Sequence, residues 1–407
     1  LVSPGVVCGR LTARTMGVPT KVLALLCLLW SAEGYRLNQW EKFNYSDPFG
    51  RAYFNFASTN DGSYALIYGG MGGSTTTYAK PYCMVLKGNA EGNYSLRIQE
   101  PQGVSPGSRF AFGMAPVRND EILLVGGSIE FRYLNGTWIY NAKNKAWRRA
   151  ALGSSMPYMK YVEVAKLNHT HLLLFGGSYA LSSKTHPKDE GDYRNTTWVY
   201  DYNVDAWAPL DVAVSPPGRK DHCIVPTDRG LFLFGGNDGK RNAEHMNDAW
   251  LFSGNAWQQV PQQKSWPSKR SSMSMASNGT HVILNGGKGD GTDFIDTWVF
   301  TVSALSWNRI STGNVGESIE KGRMNFFGSN FFRMGVNLRS PFRSPSSEIK
   351  SVFVKLVGNE WKAMDIGPEP SGLTFHAMAR IDDDSVVAIG GLKGVGETLT
   401  DAPDRNY

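Results

Sequence analysis

The sequence predicts an all-β chain of seven four-stranded units set radially as a β-propeller, its ring closed by a strand from near the N-terminus. Three observations predict this. Gly-Gly pairs recur along the chain, each pair ends a short apolar run, and a tryptophan follows most pairs at a regular distance. Composition agrees: 45 glycines and 12 tryptophans in 407 residues suit short strands joined by tight turns. With 41% hydrophobic and 19% charged residues the chain has ample material for a large core. No long amphipathic helical pattern interrupts the repeats.

The glycine pairs begin at Gly69, Gly126, Gly176, Gly235, Gly286 and Gly390, at intervals of 57, 50, 59, 51 and 104 residues. The last interval is two units, so one pair is lost near position 336, where Phe331-Phe332-Arg333-Met334-Gly335-Val336 reads as a degenerate copy with one glycine left. The runs before the pairs include Ile122-Leu123-Leu124-Val125, Leu172-Leu173-Leu174-Phe175 and Leu231-Phe232-Leu233-Phe234, short β-rich strands buried on both faces. An aromatic strand follows, as in Thr137-Trp138-Ile139-Tyr140, Thr197-Trp198-Val199-Tyr200, Ala249-Trp250-Leu251-Phe252 and Thr297-Trp298-Val299-Phe300. Then come a turn and a further tryptophan: Trp147, Trp207, Trp257, Trp307 and Trp361, with Tyr94 in that place in the first unit.

These residues resemble the kelch repeat of the galactose oxidase/kelch-like propeller superfamily, over about residues 36–401. A four-stranded unit of this kind cannot cover both of its faces alone, and radial stacking covers them. The last unit supplies two strands, around 375–380 and 385–391, and Thr398 to Asp401 is expected to start a third. The segment 36–42 around Trp40 is then the outer strand of the last blade, which closes the ring and hides both edges.

The N-terminus reads as a targeting segment. Residues 1–15 look like translated upstream sequence, Met16 like the start, and 16–34 like a secretory signal peptide. Its apolar run, Val22 to Trp30, is about half of what a spanning helix requires. This predicts a single propeller domain over 35–407, secreted and without a membrane span. Six sequons suit a glycoprotein: Asn44, Asn93, Asn135, Asn168, Asn195 and Asn278. The formal charge of +6 falls to +4 once residues 1–34, with three cations and one anion, are removed, which does not point to nucleic acid. Only Cys83 and Cys223 remain in that mature chain. They fall in blades one and four, nearly opposite across the ring, so two free thiols are expected.

In an up-and-down blade whose strands are labelled a to d from the inside, the d–a and b–c connections share one face. The long b–c loops 178–194, 237–246 and 337–348 lie there, on a rigid scaffold of the kind that carries function. A basic residue starts most inner strands: Arg51, Arg109, Lys160, Arg219, Arg270 and Arg323. Two readings stand side by side. In one these residues brace the blades through backbone or a neighbouring carboxylate, as arginines at this place do in kelch repeats. In the other they form a ring that attracts carboxylates, sulfates or phosphates. Glycans at Asn44, Asn135 and Asn195 would cover one sector of that face, leaving blades four to six, with Arg219, Arg270 and Arg323, open.

The expected function is therefore a monomeric secreted scaffold that binds a protein or an anionic glycan, with no cofactor, no metal and no catalytic residue. The resemblance also implies an alternative, an enzyme at the channel mouth, either a copper oxidase or an acidic-sugar epimerase. A copper site of the galactose oxidase type needs a channel-facing cysteine and tyrosine, whereas Cys83 beside Tyr82 is expected on an outer strand. His222, on an inner strand beside Cys223, is expected to be a core residue. Glu244 and Asp248 match part of the spacing of an iron-holding group in kelch-like plant proteins, but Phe252 interrupts it. Phosphate-loop, serine-elbow and paired-carboxylate motifs are absent.

Overall fold

The computed structural model describes residues 103–310 except 119, 130–131, 151–155, 181–191 and 241. Outside that span it describes 9–13, 37–42, 55–59, 64–70, 83–88, 94–99, 323–327, 330–337, 350–363, 373–374, 377–380, 385–389 and 392–393. The described residues form strands and turns and no helix. Most strands belong to four-stranded antiparallel sheets, and in the second to the fifth the first two strands are joined by one hairpin and the third and fourth by another. The second sheet shows the plan: Gly113–Arg118, Glu121–Val125, Thr137–Asn141 and Ala146–Arg149. The third (Glu163–Lys166, His171–Phe175, Thr197–Asp201, Ala206–Leu210) repeats it. So do the fourth (Cys223–Thr227, Gly230–Phe234, Ala249–Ser253, Ala256–Gln259) and the fifth (Ser274–Ser277, His281–Asn285, Thr297–Thr301, Ser306–Ile310). The first sheet spans Asn55–Ser58 to Tyr94–Gln99, and the sixth Arg323–Phe327 to Glu360–Ala363. First strands of successive sheets lie side by side, and Ala377–Arg380 of the last sheet lies beside Asn55–Ser58 of the first.

The apolar runs are the second strands, and their side chains are wholly buried, as in Leu172 to Phe175 and Leu231 to Phe234. The spaced tryptophans lie between sheets. Trp257 sits 5.2 Å from Phe175 of the third sheet and 5.0 Å from Phe252 of its own. Its Nε1 donates to Thr197 Oγ1 at 2.8 Å, and Trp207 and Trp361 donate in the same way to Thr137 and Thr297 at 2.9 Å. Trp307 has no such partner, because Ala249 stands where the threonines stand.

Two expectations meet a different arrangement. The degenerate sixth unit carries one uninterrupted strand, Asn330–Asn337, paired with Lys350–Val357. With no glycine pair to turn the chain, pairing runs on. In the last sheet the order is Ala377–Arg380, Ser385–Ile389, Gly9–Ala13, Leu37–Lys42. The outer strand is the expected one, but the third place goes to Gly9–Ala13 rather than to a strand from Thr398, which lies outside the described residues. Any extended segment with a free backbone edge can fill a slot between two strands, so local sequence does not choose the occupant.

Candidate functional site

The glycine pairs show how neighbouring sheets meet on the face that carries the b–c loops. Gly127 N–H donates to the Met159 carbonyl of the next sheet at 2.7 Å, Gly177 N–H to Arg219 at 2.8 Å, and Gly236 N–H to Arg270 at 2.9 Å. Gly176 and Gly235, both at positive φ, lie so close that a Cβ on either would fall 2.6 Å from the same carbonyls. Only glycine fits this approach.

Each arginine then reaches back into its own sheet. Arg219 Nη1 donates to the Gly235 carbonyl at 2.9 Å, and its two terminal nitrogens grip Asp248 at 2.7 and 2.6 Å. Arg270 repeats this with Gly286 at 2.9 Å and with Asp296 at 2.6 and 3.0 Å. The carboxylates also accept from Trp250 Nε1 at 2.6 Å and Trp298 Nε1 at 2.7 Å. Burial pushes both carboxyls up, but the arginine hydrogen bonds and charges more than reverse this and hold them below the usual range. Both guanidinium groups have 0% exposure, so these donors face inward and serve as struts between strands. The legible sequence signal for the strut is an aspartate two residues before the strand tryptophan.

Arg109 occupies the same place in the second sheet and donates to the Gly126 carbonyl at 2.7 Å. Lys160 does not. Met159 stands in the arginine position of the third sheet, since its carbonyl receives the glycine bond. Lys160 is one residue further on, pairing with Ser178 as Lys220 pairs with Asn237. Arg51 and the Arg323 side chain lie outside the described residues.

That shift assembles a group the sequence reading missed. Lys160 Nζ and Lys220 Nζ each lie 5.2 Å from the centre of the Tyr161 ring. Lys160 also lies 4.8 Å from Tyr133, and Lys220 5.8 Å from Tyr193. Tyr161 holds its place at φ 58°, as do Ala111, Asp221 and Ser272 in the corresponding positions of other sheets. Tyr133 and Ser178 share a hydroxyl hydrogen bond of 2.6 Å beneath the group. Burial pushes the Tyr133 and Tyr193 hydroxyls up, so both stay protonated. Two ammonium groups beside these rings make a compact cationic cluster with aromatic walls, Lys160 half-buried and Lys220 buried.

His222 is buried against Phe175 at 5.9 Å, in the place held by Phe112, Val162 and Met273 elsewhere. Burial and the Arg219 charge lower its pKa to about 3. Cys223 is a free thiol whose Sγ donates to the Met273 carbonyl at 3.1 Å. Cys83 opens the third strand of its sheet, and its side chain and Tyr82 lie outside the described residues. Among the described residues no three metal-capable side chains gather. Asn168 and Asn278 sit exposed in first-to-second-strand turns, where each Oδ1 accepts the N–H of the following histidine at 2.9 and 2.7 Å. Asn135 and Asn195 precede third strands at the opposite end, and Asn44 and Asn93 lie outside the described residues.

The family model described as the KLHDC2/KLHL20/DRC7 Kelch-repeats domain matches residues 55–253 and again 165–391. The chain belongs to the kelch-repeat family. Acyl-CoA-binding domain-containing protein 5 of Arabidopsis thaliana is 24% identical over 304 residues, 72% of this chain and 46% of that protein. The F-box/kelch-repeat protein At1g51550 of Arabidopsis thaliana is 25% identical over 309 residues, 63% of this chain and 60% of that protein. Kelch domain-containing protein 3 of Homo sapiens is 28% identical over 138 residues, 31% of this chain and 36% of that protein. The chain thus spans about half the length of the first of these kelch relatives.

Proposed function

We propose that this kelch chain is a secreted, glycosylated binding scaffold, a seven-bladed propeller that receives a protein or anionic glycan on its b–c loop face. The observation that carries the reading is the pair of lysines, Lys160 and Lys220, each 5.2 Å from the centre of the Tyr161 ring. Arg219 and Arg270 support that face as struts, and the lysines meet the ligand. The side-by-side order of first strands favours a ring, with Leu37–Lys42 closing it. The six sequons and the segment 16–34 favour passage through the secretory route.

Binding of the full chain to heparin and to a sialylated surface across a salt series tests the reading. Affinity falls as salt rises, because the screening length shrinks to about 8 Å at physiological ionic strength. Lys160→Ala weakens binding without moving the melting temperature, Lys220→Ala weakens binding and, being at a buried place, also lowers the melting temperature, and Arg219→Ala lowers the melting temperature alone. Salt-independent binding, or unchanged affinity in both lysine variants, rejects it. N-terminal sequencing of secreted protein tests the leader. Tyr35 is the expected first residue, with the segment from Thr398 taking the third place in the last sheet. A secreted chain that retains residues 9–13 rejects the cleavage.

A further inference from the structure

The repeats serve as controls for one another, and the second sheet departs from the fourth and fifth at the acid that its arginine would grip. In those two sheets the residue whose carbonyl receives the first glycine N–H is an aspartate: Gly235 donates to Asp248 and Gly286 to Asp296, at 3.2 and 3.1 Å. In the second sheet Gly126 donates to Gly136, at 3.4 Å. The arginine and the tryptophan that grip the aspartate are both kept, as Arg109 and Trp138. The third sheet has neither partner of the strut, with Met159 and Thr196 in the two places. Among the described arginines of this register, Arg109 keeps the cation where no described carboxylate stands beside it.

The surroundings of Gly136 suit an acid group. A Cβ there would lie 3.3 Å from Arg149 Nη2, 3.5 Å from Arg149 Nε and 3.7 Å from Trp138 Nε1. Arg149 pairs with Trp138 across the strands, at the position of Arg309 beside Trp298. The Arg109 side chain is buried and bonds to the Gly126, Pro106 and Gly107 carbonyls. The N–H groups that correspond to the aspartate-gripping pair of Arg219 and Arg270 meet no carboxylate among the described residues. Burial lowers the Arg109 pKa to about 10, and the nearby Tyr68 opposes this only in part. In the fourth and fifth sheets the carboxylate keeps 19% and 11% exposure; in the second sheet Gly136 is buried, Trp138 is half-buried and Arg149 is exposed, so an acid group would approach past Arg149.

We propose that Arg109, Trp138 and Arg149 form a carboxylate-binding seat on the second sheet, in which a ligand's acid group takes the position that Asp248 and Asp296 hold in theirs. The donor set is the one the protein already uses twice for a carboxylate, with a second guanidinium added. The acid comes from a small free carboxylate or from an acidic side chain of a partner. The seat deepens the scaffold reading and depends on it only for the second source.

Titration of the full chain with acetate, against chloride at equal ionic strength, tests the seat by thermal shift. Wild type shows a saturable rise in melting temperature with acetate and not with chloride. Arg149→Gln, which installs the residue found at Gln259, is exposed and leaves the fold intact, and it raises half-saturation tenfold or more. Arg109→Met, which installs the residue of the third sheet, abolishes the response. A capped glutamate peptide that competes with acetate, where its glutamine counterpart does not, assigns the acid to a partner. Acetate binding without peptide competition assigns it to a small acid. An equal response to chloride, or an unchanged response in Arg149→Gln, overturns the seat. Heparin binding through Lys160 and Lys220 stays unchanged in Arg149→Gln, so failure of the seat and failure of the scaffold reading are separable.

Discussion

The third sheet and the fourth meet their neighbours through the same backbone bond but dress it differently. In the fourth, Arg219, Asp248 and Trp250 close a charged strut behind the glycine contact. In the third, Met159 fills the arginine place with 0% exposure, and no ion pair among the described residues stands behind it. The carbonyl-to-glycine bond is 2.7 Å at Met159 and 2.8 Å at Arg219. Close approach of the sheets therefore rests on glycine and backbone, and the strut is a side-chain layer that can be exchanged as a unit. Apolar replacement of a whole buried pair is often neutral, whereas loss of one partner strands a charge.

The largest effect expected from that comparison is in the fourth sheet. Asp248→Ala leaves Arg219 buried without its acid and costs about 3–5 kcal/mol in urea unfolding. The double change Arg219→Met with Asp248→Thr copies the third sheet and stays within about 1 kcal/mol of wild type. A double variant as unstable as the single one would break the comparison.

His222 comes next, since the second, third and fifth sheets hold Phe112, Val162 and Met273 there. Its folded pKa of about 3 lies below the unfolded value. The neutral ring thus contributes stability that is full above pH 6.5 and is lost as pH falls toward 3. Between pH 6.5 and 4.5 this amounts to about 2–3 kcal/mol. His222→Phe removes that slope, read from unfolding midpoints at several pH values.

A smaller effect concerns Trp307. Ala249→Thr supplies the acceptor that Thr137, Thr197 and Thr297 supply elsewhere, and raises stability by about 1 kcal/mol. A fall in midpoint would mean that Trp266, which packs on Trp307 at 6.4 Å, has already taken the space. The smallest effect is at Lys269, whose 3.0 Å pair with Glu244 is exposed on both sides. Lys269→Ala leaves the midpoint unmoved, because an exposed pair gains little over hydration.

The arginine positions divide by what makes them legible. Arg109, Arg219 and Arg270 are visible as a repeated basic residue ahead of an inner strand, and the structure puts all three in one register. Lys160 looks the same in sequence and sits one residue off, because the register is set by which carbonyl meets the glycine of the neighbouring sheet. The partners of the struts lie 29 and 26 residues along the chain, and only the return of the third strand brings them close. Gly136, a turn residue by sequence, acquires meaning only once it is superimposed on Asp248 and Asp296 through the shared glycine bond.

By itself the sequence determined the repeat, the strand order within the second to fifth sheets and the tryptophan and glycine places. These follow from short-range alternation of apolar, glycine and aromatic residues, and short-range pattern is local information. Tertiary structure alone decided the rest. It placed Gly9–Ala13 in the last sheet, turned Arg219 and Arg270 inward, gathered Lys160 and Lys220 around Tyr161, and set Gly136, among the described residues, where the counterparts of Arg109 hold an acid. Each of these depends on which strand edge or carbonyl from a distant segment arrives beside it, and that is settled by packing between sheets.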